Sequence, residues 1–598
     1  MVPWLLLCGL VGLAYGPAVP NFFASDDLDM LSGDASDLLS PASGFGRFMP
    51  LAAIVHRVMA VAFGLDPIPA HTLQLALHMA ATLLVYVLAR RLLAGWSRGD
   101  EHVRVPSKSP PAARERSFRP EAGEFQYRRS PTAATAAIVG GADHEGTTGA
   151  ALVAAVLFAL YPRHHQVVMW FGAVSIALAA TLALATAVLF LCAWPDRDPR
   201  AGWAAAATYA AALLAHESAV ALPLLLVALA VYAPRRAAPE PATAGPGLAA
   251  IGRGTAASQV GSGSATLHGA AIRPWGGLCA VPAWLWAMAL ASGAHLALLG
   301  WAYRVRAAAY PDSGYRFLGA SADLAVAPLR YAAQWGAPPP WTDSLTLGGA
   351  GLALGGLALL GAAAWAWRGG AAARLGLAWV ALAAAPFVLF GVYGVTDRYY
   401  YLPSVGLALA VAAALGRLGW RQAPLVAAYS VVAVLLLAVA AGQWRLAGAR
   451  VHGTMDYLAA WSATQAAPVE AAAFVGVPFK RGEGWPGSQV YVFSTGLVGA
   501  AHLATGRPTL RVSYVFADEY PALGAWLDAL PTAPGPPGLA LFALDRGLVA
   551  DHSDVLGAAL PELARLRWRG ASRTPIDWLR YAPLAWTGQE RAPATTGR

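Results

Sequence analysis

The feature that most restricts this chain is the recurrence of long apolar runs separated by short polar loops. A helix needs about 20 apolar residues to cross a hydrocarbon core about 30 Å thick. Runs of that order lie near 3–20, 70–93, 148–168, 172–194, 201–216, 218–234, 277–301, 346–367, 374–392, 400–417 and 423–442. They predict a polytopic α-helical membrane protein with about eleven transmembrane helices. The charge supports this: only 13% of residues are charged, where a soluble domain carries about 25%. The 62 Gly and 43 Pro suit transmembrane helices, which tolerate both. Met1 to Pro20 lacks the basic start of a signal peptide and reads as the first span.

A net charge of +9 does not point to nucleic acid here, because the basic residues sit in short loops between spans, where they set topology. Arg98 through Arg129, Arg197 and Arg200, Arg235 and Arg236, Arg368 and Arg374, and Arg417 and Arg421 follow alternate spans. These loops are expected in the cytoplasm, with the N-terminus. The acidic loop after the first span, the Tyr161–Gly172 loop, the Tyr303–Leu345 loop, the Tyr393–Tyr400 turn and the C-terminal part then lie outside. The protein is expected in a bacterial inner membrane. Cys8, Cys192 and Cys279 all lie in or beside apolar runs and form no disulfide framework.

Residues 1–445 read as the membrane domain. Within it, 21–69 forms the first external loop, closed by an amphipathic juxtamembrane stretch from Arg47 to Leu65. Residues 98–147 read as a disordered cytoplasmic linker rich in Pro, Ser, Ala and Arg, and Ala238 to Leu267 is similar. From 451 to 598 the apolar runs shorten. Gln489–Ser494, Leu510–Ala517 and Gly538–Leu544 read as strands, and Gly496–Thr505 and Ala522–Leu530 as helices. A small extracytoplasmic α/β domain is expected there. Gly482–Gly487 lacks the Lys-Ser/Thr ending of a phosphate-binding loop and reads as a turn.

Four clusters could carry chemistry. The first is the acidic loop NFFASDDLDMLSGDASDLLSPASGFGR, in which Asp26 and Asp27 are the candidate catalytic carboxylates, one as general base and one as a positioning group. Asp29, Asp34 and Asp37 read as solvated. The second is YPRHHQVVMW, where Arg163 and His164 could face an anion with His165 in support, and Tyr161 and Trp170 read as aromatic-belt residues. The third is His216-Glu217-Ser218 between two apolar runs; Glu217 reads equally as a functional carboxylate or as a helix-hairpin group. The fourth is TDRYYYLPS, where Arg398, an always-charged phosphate binder, stands among tyrosines that include Tyr400 and beside Asp397. Arg304, Arg306, Arg316 and Arg330 gather in the external loop after the seventh span and suggest a phosphate ligand. Their alternative partners are Asp312, Asp323 and Asp343.

Taken in order, FFASDDLDM, RFMPLAAIVHRVMAVAFGLDPIPAHTLQLALHMAATLLVYVLARRLL, LFALYPRHHQVVMW, LLAHESAVALPLLL and DRYYYLPSVGLAL resemble the polyprenyl-phosphate-dependent glycosyltransferases of the GT-C superfamily, nearest to its protein O-mannosyltransferase-like branch. The resemblance covers most of 21–415. No 34-residue period of tetratricopeptide type follows it. It implies inverting transfer of a sugar from a polyprenyl-phosphate donor to a protein or glycan acceptor on the outer face. Asp26 or Asp27 would be the base and Arg398 a donor-phosphate contact. The chain departs from the family in placing Arg163-His164 where His-Pro is usual, and His216 where Lys is usual. No cofactor is implied, and a divalent cation at the acidic loop stays open. Two other classes compete: a transporter or flippase of a lipid-linked anion, and a non-catalytic glycan-binding relative. Most ionisable groups lie in loops and no internal repeat is visible, which counts against a transporter.

Overall fold

The computed structural model describes residues 2–32, 48–101, 148–196, 198–232, 282–309, 321–336, 349–388, 396–418, 421–465, 468–478, 490–493, 496–545 and 548–570. Among these, seven helices are long and apolar enough to cross a membrane. They lie on α4 (Pro67–Glu101), α7 (Val174–Asp196) with the 3-10 turn before it, α10 (Ala283–Ala309), α12 (Gly349–Arg368), α13 (Ala371–Val388), α14 (Tyr401–Gly416) with the 3-10 turn Asp397–Tyr400, and α15 (Gln422–Thr464). The other four expected spans coincide with shorter helices: α1 (Val2–Tyr15), α5 (Thr148–Ala159), α8 (Pro199–Ala215) and α9 (Leu222–Tyr232). Three further helices, α2 (Asp27–Ser32), α3 (Pro50–Phe63) and α6 (His165–Met169), belong to loops at one end of the bundle, and α11 (Ser321–Gly336) packs on α12. The architecture is that of a mostly helical, multi-pass membrane protein.

Between α13 and α14 the helices approach at Gly376 and Gly406, where a Cβ on either would overlap the other's carbonyl oxygen. Apolar burial gives helices no net pull in lipid, so close backbone contact across small residues is how they associate.

The span expected over 148–168 is corrected. Its helix stops at Ala159, and Tyr161–Met169 turns back as a 3-10 turn, Pro162–His164, followed by α6. Pro162 explains the break: Tyr161 before it is pushed to an extended ψ of 115°. The run that looked like the end of a span is therefore a buried loop whose polar side chains must find partners inside the protein.

The last helix is also longer than its apolar run. The 43 residues of α15 reach about 65 Å at 1.5 Å per residue, about twice the hydrocarbon thickness. The expected boundary at 445–451 falls inside it. Beyond the apolar run it keeps one buried stripe, Trp444, Ala447, Gly448, Val451, Met455 and Leu458, at the three- and four-residue spacing of one helix face.

After α15 comes a four-stranded sheet of order β2-β1-β3-β4: β1 Ala471–Val477, β2 Arg511–Phe516, β3 Leu539–Asp545 and β4 Leu548–Asp551. β1 pairs in parallel with β2 and β3; β4 runs antiparallel to β3. Crossovers α16 (Leu497–Thr505) and α17 (Leu523–Asp528) match the helices read from sequence, and α18 (Leu556–Leu563) follows β4. The strand expected at Gln489–Ser494 is corrected: its described part, Val490–Phe493, contributes only a single bridge at Tyr491. β1 takes its place in the sheet.

Side chains alternate across the sheet, as the two-residue period demands. Ala471, Ala473, Val475, Val515, Leu539 and Leu541 face α17 and α18. Ala472, Phe474, Val512, Tyr514, Ala540 and Phe542 face the other way and join the same buried cluster as the membrane helices. The sheet is thus built onto the bundle.

Candidate functional site

The acidic loop lies where the bundle meets the sheet domain. Asn21 Nδ2 donates to the Ala441 carbonyl of α15 at 3.3 Å. Phe23 packs near His71 of α4 and Phe171. The chain then passes through Ser25 at φ 59°, in the left-handed region, and enters α2 at Asp27.

The two adjacent aspartates meet different surroundings. Asp26 is half-buried, and its Oδ1 accepts the Ser25 hydroxyl at 3.1 Å. Asp27 is 1% exposed. Its Oδ2 accepts the Ala24 N–H at 2.9 Å. The Trp170 indole and the Gly172 amide also lie beside its carboxylate. Burial pushes the Asp27 carboxyl well above the usual carboxylate range, and the charge of Asp26 adds to this, against the opposing pull of the neighbouring N–H groups. Of the two carboxylates, Asp26 is the more accessible and Asp27 the more enclosed. Asp29 is corrected from its solvated reading: its Oδ1 accepts the Gly499 N–H of α16 at 2.7 Å. Asp34 and Asp37 lie outside the described residues.

The Tyr161–Met169 loop is organised by one ion pair. Arg163, 1% exposed, pairs with Asp397 and donates to the Gln334 carbonyl. Its guanidinium lies 4.9 Å from the centre of the Tyr400 ring. Asp397 Oδ2 also accepts from His165 Nε2 at 2.9 Å. The other ring nitrogen of His165 accepts the Trp444 indole N–H at 3.1 Å. An indole N–H only donates, so the His165 proton is on Nε2. Tyr400 stacks on Tyr331, with ring centres 4.5 Å apart, and donates to Gln334 Oε1 at 2.7 Å. His164 is fully buried and bonds Ser404 Oγ at 2.9 Å. The sequence places Asp397 beside Arg398, but the fold gives this carboxylate to Arg163.

Arg398 is therefore the more accessible guanidinium. Its backbone N–H donates to Gln166 Oε1 at 3.0 Å. Its side chain, half-buried, lies 5.0 Å from the Trp170 ring centre and 5.2 Å from that of Tyr399. Two aromatic faces lie against the cation.

Trp170 ties these parts together, and its expected place in an aromatic belt is corrected. It is buried; its ring neighbours Asp27, carries Arg398, stacks on Trp444 and meets Tyr491 of the sheet domain. Gln74 Nε2 of α4 fixes its carbonyl at 2.6 Å. The usable signal was its place at the end of a run of chemistry-bearing residues.

Glu217 stands apart from this cluster. It is buried beside His216, with Nε2 3.7 Å from Oε2, and near His295 of α10. His216 caps the 3-10 turn Glu217–Ala221 by accepting the Ser218 N–H. Arg304 is exposed on α10, and no hydrogen bond or ion pair joins it to the cluster among the described residues. Arg316 lies outside the described residues, as does the side chain of Arg306. Among the described residues no group of three or more His, Cys, Asp or Glu could hold a metal ion.

No family model matches this chain and no curated protein matches it. Among solved structures it is similar to the archaeal oligosaccharyltransferase AglB from Archaeoglobus fulgidus, determined in complex with an inhibitory peptide and a dolichol-phosphate. The TM-score is 0.38 and the identity 12%, over 92% of this chain and 74% of that one. Likeness at this level carries no weight for activity, and the functional reading rests on the residues.

Proposed function

We propose that this protein is a membrane glycosyltransferase. It moves a sugar from a polyprenyl-phosphate donor to a protein or glycan acceptor at the extracytoplasmic face, with Asp26 as general base and Arg398 as the donor-phosphate contact. The observation that supports this reading is that the half-buried Asp26 lies on the loop whose next residue, Asp27, borders the Trp170 indole, while the half-buried Arg398 guanidinium lies over that same ring.

The chemistry needs both charges. The acceptor hydroxyl gives its proton to Asp26 as its oxygen forms the new bond to the anomeric carbon. The bond from that carbon to the phosphate oxygen breaks, and the lipid phosphate leaves with the electron pair. Arg398 stabilises that leaving charge without titrating. Arg163 is committed to Asp397, so it serves this reading by fixing the segment that presents Arg398. His164, His165 and Tyr400 support the same segment.

The test is transfer from radiolabelled polyprenyl-phosphate sugars in membranes. D26N is expected to lose transfer and keep donor binding; R398A is expected to lose donor binding. Full transfer by D26N overturns the assignment.

A further inference from the structure

The carboxylate loop is gripped by the sheet domain on both sides of Asp26. Ser25 occupies a left-handed conformation, which a non-glycine residue holds only when its surroundings impose it. The imposing group comes from the sheet domain: the Ser25 N–H donates to the Val492 carbonyl at 2.8 Å. Gly496, just ahead of α16, lies so close to the Ser25 carbonyl oxygen that any Cβ would overlap it. One turn on, Gly499 rides over the peptide joining Leu28 and Asp29. A Cβ there would stand 2.5 Å from the Leu28 oxygen and 2.6 Å from the Asp29 nitrogen.

The same turn supplies a polar lock. The Gly499 N–H belongs to the first turn of α16, which has no intrahelical acceptor, and Asp29 Oδ1 supplies one at 2.7 Å. A carboxylate at a helix N-terminus is also favoured by the helix dipole. Tyr514 of β2 faces the same loop: burial, then the charges of Asp29 and Asp26, push its phenol well above its ordinary range.

We propose that the C-terminal sheet domain is a positioning part of the active site, with Gly496, Gly499 and Asp29 as positioning residues that set where Asp26 points. The proposal rests on the reading of Asp26 as the base. It makes transfer conditional on the sheet domain being seated, whatever the acceptor.

The test uses the full-length protein in lipid nanodiscs, with two readouts. Hydrogen exchange reports the amides of Ser25–Ser32, and transfer kinetics report kcat and the KM for the polyprenyl-phosphate sugar. G499V forces the helix off the loop, and D29A removes the acceptor should G499V fail to fold. D29N keeps an oxygen at the same place. G524A is the control, because a Cβ there meets open space on α17.

G499V and D29A are expected to speed exchange across Ser25–Ser32 by roughly tenfold. They are expected to lower kcat by about 100-fold, the cost of a misplacement near 1 Å, with KM for the donor unchanged. D29N is expected to recover most of kcat, and G524A to match the wild type. Wild-type exchange in both G499V and D29A overturns the proposal, since the bundle then holds the loop. Faster exchange with unchanged kcat overturns it too, since the grip then has no bearing on the base. Full transfer by D26N removes the base assignment instead, and the exchange comparison still decides whether the domain holds the loop.

Discussion

The ion pair of Arg163 with Asp397 is the sharpest point at which to test the packing of the site. The two side chains are 1% and 0% exposed as residues. Removing one partner of a buried pair leaves an uncompensated charge and costs about 3–5 kcal/mol, whereas replacing both by apolar groups of similar size is often neutral. D397N therefore takes from the Arg163 guanidinium its carboxylate partner, while the contacts with the Gln334 carbonyl and the Tyr400 ring face stay. It also exchanges the charged acceptor of the His165 Nε2–H for a neutral one. R163M with D397L removes the charge problem but leaves the Gln334 carbonyl and the His165 N–H short of a partner, for about 1–3 kcal/mol each. The single substitution should thus lose about 3–5 kcal/mol, and the double about 2–6 kcal/mol, less than the sum of the two singles. Unfolding in mixed detergent and SDS micelles, read by tryptophan fluorescence, gives the four corners of the cycle. Additive losses, or a D397N protein within about 1 kcal/mol of the wild type, would refute the reasoning. Arg163 would then be available to a ligand phosphate, as its sequence context suggests.

Three further outcomes are expected. D27N should retain transfer where D26N loses about 100-fold or more, the usual worth of a general base; equal losses in both would show that accessibility does not rank them. Because burial raises the Asp27 carboxyl above its unfolded value, the folded state holds that proton more tightly than the unfolded chain. Its contribution is complete below about pH 4 and fades as pH climbs through the raised value, so D27N should gain stability relative to wild type with rising pH; a pH-independent difference in thermal unfolding would count against this. W170L should weaken donor binding by about 2- to 30-fold, the range of a cation–π contact of about 0.5–2 kcal/mol, and R398K should also weaken it through loss of the planar stacked group; unchanged binding to immobilised polyprenyl phosphate in both would remove Arg398 from the donor site.

The sequence was most legible where composition dominates. Apolar runs located helices at each expected span, and two crossover helices and two of the four strands followed from local pattern. It failed where partners are distant. Pro162 was visible, but an apolar run on either side of it concealed the turn. β1 reads AAAFVGV, and alanine is depleted in strands, so nothing local marked it. The stretch QVYVFS has strong strand propensity and yet makes only one bridge in its described part, because pairing depends on neighbours. Asp397 and Arg398 are adjacent in the sequence, which says nothing of which partner each side chain reaches. On a helical turn successive side chains diverge, and Asp397 found Arg163, 234 residues away.

That exchange of partners bears on the chemistry. A guanidinium neutralised by its own neighbour would be a poor phosphate contact, and one with no support would be poorly aimed. For Arg398 the adjacent carboxylate, Asp397, pairs with Arg163, while Trp170 and Tyr399 support the cation by their faces. Trp170 is in turn fixed by Gln74, Trp444 and the neighbourhood of Asp27. The proposed phosphate contact and the loop of the proposed base thereby both border one buried ring. A shift of that ring would move both, so transfer should respond more steeply than donor binding alone when Trp170 is cut back.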